Sequence, residues 1–390
     1  MPELPEVETP AMITIDRTLL RDVLRGLIAC NSINPSLVPG APGEGQIALY
    51  VTTVCRDLGL EAELVEAAHG RPNVIATLRG EGGGRRLLLN GHLDTVAAEG
   101  MDRPFEAVER EGRFYGRGAV DMKGSLAAMI AASGAVRAHG RLAGDLILTF
   151  VADEEYASLG TEALAGTVTA DAAIVTEPTA LAIGIAHKGF AWVRFETGGR
   201  AAHGSDYREG RDAIAAMGHV LAELRRLELN RLTQHRHALL GRPSVHASLI
   251  EGGDGLSTYP SRCVLQVERR TLPGETVADI EAEMLEVLQR GGGGRVEVLF
   301  FRPAYEVSHD APIVQTLSSA ASRVRGSRPP LIGLAPWMDS AILGGAGIPS
   351  VIFGPAGAGA HAAEEYVEID SVVRCAEVLA SAAVEFCGER

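Results

Sequence analysis

Cysteine is scarce in this chain, and what there is of it is scattered: Cys30, Cys55, Cys263, Cys375 and Cys387 are five in 390 residues. The number is odd and no Cys-x-x-Cys pair occurs. That argues against a disulfide framework and against a cysteine-built zinc site, and for reduced thiols in a cytoplasmic protein. Positive charge is in deficit too. Lys and Arg number 36 against 50 Asp and Glu, a formal net charge of −14, so neither nucleic acid nor an anionic membrane is expected as a partner. No apolar run approaches the roughly 18 residues of a membrane span, and the N-terminus lacks the basic-then-apolar pattern of a secretory leader. No internal repeat is visible. The glycine cluster at 80–84 is no phosphate loop, since no Lys-Ser/Thr follows and no helix opens there.

What is present is a 46% apolar, globular composition, long enough for two domains. Leu87-Leu88-Leu89 is a short continuous apolar run that ends in Asn90-Gly91-His92-Leu93-Asp94. It reads as a strand buried on both faces. Functional groups in open α/β sheets gather beyond the carboxyl ends of such strands. His92 and Asp94, two apart on an extended chain, point the same way, so one can bind a metal while the other supports it. A single His-x-Asp is ordinary strand-end polarity as readily as a metal site, but the chain returns to the same design. The run 145–152 ends in Asp153-Glu154-Glu155, the run 172–175 in Thr176-Glu177-Pro178, and the run 350–353 is followed by a glycine-rich stretch to His361. Three consecutive carboxylates beyond a buried strand repel one another unless cations hold them. Asp121 sits just ahead of an alanine-rich helix at 125–139, as a ligand or as a plain N-cap. Mixed N and O donors of this kind suit zinc and its neighbours. Helices are expected at 13–28 and 46–58 and strands at 61–65 and 73–78. Between 189 and 302 the order β-α-β-β-α-β is that of a ferredoxin-like unit, inserted before the first pattern resumes.

The first nine residues, MPELPEVET, resemble the start of formamidopyrimidine-DNA glycosylases, where the proline (here Pro2) attacks the damaged sugar and the following Glu (here Glu3) assists. The likeness ends there, and the rest of the chain lacks that family's basic character and four-cysteine zinc finger. The segment 1–12 is read as a tag or unrelated extension.

GHLDTV, GRGAVDMKG, DEE, EPT and GPAGAGAH, in this order from His92 to His361, resemble the motifs of the M20 metallopeptidases, closest to the acetylornithine deacetylase and succinyl-diaminopimelate desuccinylase branch. The resemblance covers residue 13 to the C-terminus. It implies an α/β fold: a zinc-peptidase-like catalytic domain with a mixed central sheet (13–184 and 303–390) and an inserted ferredoxin-like α+β lid and dimerisation domain (185–302). It implies two Zn2+ per chain, with Co2+ or Mn2+ as substitutes. His92 and Glu177 would hold one metal, Glu155 and His361 the other, and Asp121 would bridge them. Asp94 would orient His92, Glu154 would be the general base, and the Asp121–Met122 peptide bond would be cis. His203, in Gly199-x-x-x-His203, would cross from a partner subunit of a homodimer to help bind the oxyanion. Arg270 would clamp a substrate carboxylate. The implied activity is removal of an N-acyl group from a small amino acid, with a dipeptidase or carboxypeptidase as the alternative on the same scaffold. Glu154 and Glu155, taken as neighbours on an extended stretch, are expected to point to opposite sides and so divide into base and ligand.

The chain also departs from the family it resembles, at positions that leave the implied metal chemistry alone and bear on the substrate. Ser257 and Asp212 stand where many relatives have Asn, and Trp337-Met338-Asp339-Ser340 occupies a segment that varies with substrate. Of the remaining histidines only His187, in the hinge-like AHKG, draws attention. Since no core pattern includes the N-terminal segment, deletion of residues 1–10 is expected to leave folding and amide hydrolysis intact. A truncated chain that folds and loads metal but no longer hydrolyses would show that the segment takes part.

Overall fold

The computed structural model describes residues 13–388, so the MPELPEVET segment and the reading attached to it lie outside the described residues. The chain divides into two compact units. One takes the described residues up to Ile185, Val307–Leu331 and those from Met338 on, and the other takes Ala186–Glu306 and Ile332–Trp337. The short return segment belongs with the second unit because its backbone is tied there: Lys188 N–H donates to the Leu334 carbonyl at 3.1 Å and the Trp337 indole N–H to the Pro303 carbonyl at 3.1 Å.

The first unit is built on a mixed sheet. Its strands run in the order Glu61–Ala68, Arg71–Leu78, Leu146–Val151, Leu87–His92, Ala172–Val175, Ser350–Ile352 and the start of Ile183–His187, whose last two residues count with the second unit. The four in the middle, from Leu146–Val151 to Ser350–Ile352, are mutually parallel and the flanking ones antiparallel. Every residue of those four is buried. That is why they read as continuous apolar runs with no alternation: both faces are covered. The cover includes the alanine-rich helix Gly124–His139, which packs on Arg17–Ala29 and Ile369–Cys387. The expected first helix begins at Arg17, later than its apolar spacing suggests. Asp16 stops it there by accepting from the N–H groups of Thr18 and Leu19 at 2.9 and 3.0 Å.

A second, four-stranded sheet in this unit was not foreseen. It joins Gly357–Ala358, Tyr366–Glu368, Arg113–Tyr115 and Val108–Arg110. Strands of two or three residues carry too little periodicity to be read from sequence.

The second unit is an antiparallel sheet in the order Ser244–Gly252, Arg262–Thr271, Gly189–Gly198, Arg295–Arg302. Helices Ala213–Arg226 and Val277–Arg290 cover one face through a core of Val193, Phe195, Met217, Val220, Leu265, Val267, Ile280 and Met284. The chain order is β-α-β-β-α-β, as in ferredoxin-like units. All five cysteines are free and buried, Cys263 in this unit and the others in the first. Among the described residues no helix is long and apolar enough to cross a membrane.

Candidate metal centre

His92 is the last residue of the Leu87–His92 strand and lies opposite Val151 of the neighbouring parallel strand. Its imidazole is buried, and Nδ1 lies 2.9 Å from the backbone carbonyl of Asp94. The Asp94 carboxylate is farther from that nitrogen, at 3.6 Å. What the carboxylate does hold is the next strand's turn. It accepts from the N–H of Glu154 at 3.1 Å and of Glu155 at 3.2 Å, and from the Asn34 amide at 2.7 Å. Asp94 thus meets His92 through its backbone carbonyl and the backbone of the Glu154–Glu155 pair through its side chain.

Glu154 and Glu155 are not on an extended stretch. The chain turns immediately after Leu146–Val151, with the N–H groups of Ala157 and Ser158 both donating to the Asp153 carbonyl, at 3.1 and 2.6 Å. Asp153 itself has a positive φ of 69°. The expected division of the two side chains by strand alternation is thus overturned. They still find different partners: Glu154 groups with His92 and Glu177, and Glu155 with His92 and Asp121.

Glu177 follows the Ala172–Val175 strand and its Oε1 is 3.7 Å from His92 Nε2. Asp121 and His361 come from the small sheet's connections and not from the ends of central strands. His361 lies between the paired strands Gly357–Ala358 and Tyr366–Glu368, and Asp121 follows Arg113–Tyr115 in the loop that leads to the alanine-rich helix. That loop opens at Gly118, where φ is +78° and a Cβ would meet the Thr95 methyl at 2.6 Å, so only glycine fits. The Asp121–Met122 peptide bond is cis.

The buried carboxylate of Glu365, which sequence reasoning missed, holds the loop. It accepts from Arg117 Nη1 at 2.7 Å and from the backbone N–H groups of Gly118 at 2.9 Å, Val120 at 3.0 Å and Asp121 at 3.1 Å. Its one sequence signal is an acidic pair, Glu364-Glu365, on a stretch too short to read.

Asp121 is the hinge of the cluster. Its Oδ1 is 3.1 Å from His92 Nε2, its Oδ2 is 3.4 Å from His361 Nε2, and His361 Nε2 is 3.0 Å from Glu155 Oε2. Burial opposes charge on Asp121, but hydrogen bonds from His361 and His92 outweigh it and hold the carboxyl below its ordinary range. Bonds to Asp121 and Glu155 push His361 up to about 10. Burial also opposes a charged His92, yet Asp121, Glu177 and Asp94 together raise it well above the usual imidazole value. Burial, with the charges around it, pushes Glu177 up to about 8 and Asp94 up to about 7, and raises Glu154 well above the usual carboxyl value.

Carboxylates outnumber cationic groups here, and burying them unpaired is costly. Glu155 Oε1 is buried with no hydrogen-bond partner. The ligand atoms of His92, Asp121 and Glu155 lie within 4.8 Å of one another, as do those of His92, Glu154 and Glu177. A mixed imidazole–carboxylate set with a spare buried oxygen fits divalent cations. His203 and Arg270 belong to the second unit. His203 is exposed, its Nδ1 2.8 Å from Ser205 Oγ. Arg270 donates to the Ala335 carbonyl at 2.6 Å.

Comparison with known proteins bears on the same residues. The chain matches the description of peptidase family M20/M25/M40 over residues 88–385. An acetylornithine deacetylase from Myxococcus xanthus is 31% identical over 95% of this chain and 98% of its own length. In structure the chain is similar to the aminopeptidase PepT from Bacillus cereus, with a TM-score of 0.81 at 21% identity over 96% of this chain and 100% of the other. It is also similar to the YXEP protein of Bacillus subtilis, described as a dinuclear metal binding peptidase from the M20 family, with a TM-score of 0.72 at 18% identity over 95% and 98%.

Because Glu365 fixes the backbone of Asp121, Glu365→Gln should disturb metal binding without removing a ligand. The amide keeps the shape but turns one pair of acceptors into a donor facing N–H groups. Divalent-metal affinity measured by calorimetry is expected to fall about 10–100-fold, and an unchanged affinity would show that the loop holds itself.

Proposed function

The chain belongs to peptidase family M20/M25/M40, and from that membership we propose that this metal-dependent amide-bond hydrolase removes the N-acyl group of an N-acyl amino acid. The observation that carries the reading is the Asp121 carboxylate, with one oxygen toward His92 and the other toward His361. It supports two metals: one on His92 and Glu177, one on Glu155 and His361, with Asp121 between them. Zinc is the natural occupant of such donors, and Co2+ or Mn2+ can replace it.

Metals bound there would supply a water activated at neutral pH and charge to polarise the acyl carbonyl. Glu154, beside the first pair, takes the proton of the attacking water and delivers it to the leaving amine nitrogen. Asp94 keeps Glu154 and Glu155 in register through their N–H groups. Arg270 receives the carboxylate of the amino acid.

The second unit supports a homodimer. Its edge strand Ser244–Gly252 exposes Leu249 and Ile250 at 64% and 56%. An exposed apolar edge is a template for pairing with another copy. We assign residues 185–302 as the lid and dimer contact, and His203 as a donor to the oxyanion across the interface. Buried, reduced thiols support a cytoplasmic location.

Two experiments test the assignment. Glu154→Ala protein is expected to keep both metals and lose rate by about 10²–10⁴. Loss of metal from it, with retention in Glu155→Ala, would reverse the two roles. His203→Ala is expected to load metal normally and turn over slowly, since an oxyanion donor is worth about 2.7–4 kcal/mol. Mixing it with Glu154→Ala is expected to restore activity, through hybrid dimers holding one site with both groups. No recovery after confirmed subunit exchange would count against action across the interface.

A further inference from the structure

The second unit's sheet buries one face against its helices through Ala191, Val193, Phe195 and Val267. Alternate residues turn to the other face, where the strand register lines up two rows. In one, Phe190 stands between Arg270 and Arg302; in the next, Trp192 stands between Glu268 and Phe300. The ring centroids of Phe190, Trp192 and Phe300 are 5.3–5.8 Å apart. Trp337 closes one end, edge-on to Phe190 at 6.4 Å and to His187 at 6.1 Å. None of Phe190, Trp192, Phe300 and Trp337 is buried, and Trp192 is 38% exposed. Aromatic residues are only 5% of this chain, yet both of its tryptophans are here. That concentration on an open face marks a binding surface and not a core.

The charges on this wall are mostly positive. The Arg270 guanidinium lies 5.5 Å from the Phe190 centroid, and that of Arg302 lies 4.8 Å from Phe300 and 5.4 Å from Trp337. Lys188 adjoins them, its pKa lowered by burial and by Arg270, Arg242 and Arg269. Burial holds His187 near 4, so it adds no charge at neutral pH. Glu268, 3.5 Å from Arg270, is the one carboxylate in the two rows. Guanidinium groups thus already lie over Phe190, Phe300 and Trp337, and a further cation brought to the wall would be repelled by them.

Resting on the reading that Arg270 receives the substrate's carboxylate, we propose that this wall receives the side chain of the amino-acid half, and that the preferred substrates are N-acyl derivatives of aromatic amino acids, not of cationic ones such as ornithine. The side chain leaves from the carbon that bears the carboxylate. An amino acid held at Arg270 thus places it beside Phe190, where rings at these spacings offer edge-to-face and offset contacts. Trp337, edge-on to Phe190 and His187, sets the end of the wall.

Calorimetry with Glu154→Ala protein, in which slowed turnover leaves binding to be read, compares N-acetylphenylalanine with N-acetylornithine. The phenylalanine derivative is expected to bind about tenfold or more tightly, and adding Trp337→Ala or Phe190→Ala is expected to erase most of the difference. Equal or tighter binding of N-acetylornithine overturns the proposal, and so does an aromatic preference that survives both substitutions. Steady-state hydrolysis by the unaltered, zinc-loaded protein separates the two levels of the argument. Preferred hydrolysis of N-acetylornithine sinks the wall and leaves the deacylase reading standing. Aromatic-selective binding with no hydrolysis of any N-acyl amino acid does the reverse.

Discussion

Asp94, Asp121, Glu154, Glu155 and Glu177 share one small volume with two imidazoles, and like charges at such distances oppose the fold that collects them. Desolvation makes the opposition worse, because buried carboxylates interact through a medium far less screening than water. The chain's answer is to anchor backbone first. Asp94 is held through the peptide groups that follow the Leu146–Val151 strand, and Asp121 through the four donors gathered by Glu365. With the backbone fixed from outside the cluster, the side chains have few ways to swing apart, and a cation can lower the energy of what remains.

Beneath Asp94 the anchoring continues. The Asn34 amide donates to both Asp94 and Asp153, at 2.7 and 3.1 Å. Arg71 donates to Asp153 at 2.9 Å and to both oxygens of Glu44 at 2.7 and 2.6 Å. Burial works against the Arg71 charge, but Glu44 and Asp153 more than offset it. Removing one member of such a buried ionic network typically costs about 3–5 kcal/mol, because its partner is left charged and alone. The turn that carries Glu154 and Glu155 is thereby tied to the helix Gly45–Asp57, which begins directly after Glu44.

Much of this was legible in the sequence, and the reasons differ from residue to residue. His92 and Glu177 stand out because one ends and the other follows a fully buried parallel strand, whose unbroken apolar run is hard to mistake. The ferredoxin-like order of the insert is legible because each of its six elements is long enough to show its period. The turn at Glu154–Glu155 was misread as extended because its geometry comes from Asp94, distant in sequence. The path to His361 was misread for a related reason. It depends on strands of two and three residues, which form only because they pair with one another. Glu365 was invisible because three of its four donors are backbone N–H groups, which have no sequence signature. The return of 332–337 to the second unit rests on hydrogen bonds from Lys188 to Leu334, from Arg270 to Ala335 and from Trp337 to Pro303, and could not be anticipated from composition.

The buried cysteines give the protein a built-in clock. Burial pushes the Cys55 and Cys387 thiols up to about 12, so the native chain presents almost no thiolate to an alkylating reagent. Modification must wait for the surrounding structure to open, and its rate then reports the free energy of that opening. Cys263 lies in the core of the second unit, and Cys30, Cys55, Cys375 and Cys387 lie in the first. One labelling time course, resolved by peptide mass, would therefore time the two units separately in the unmodified protein.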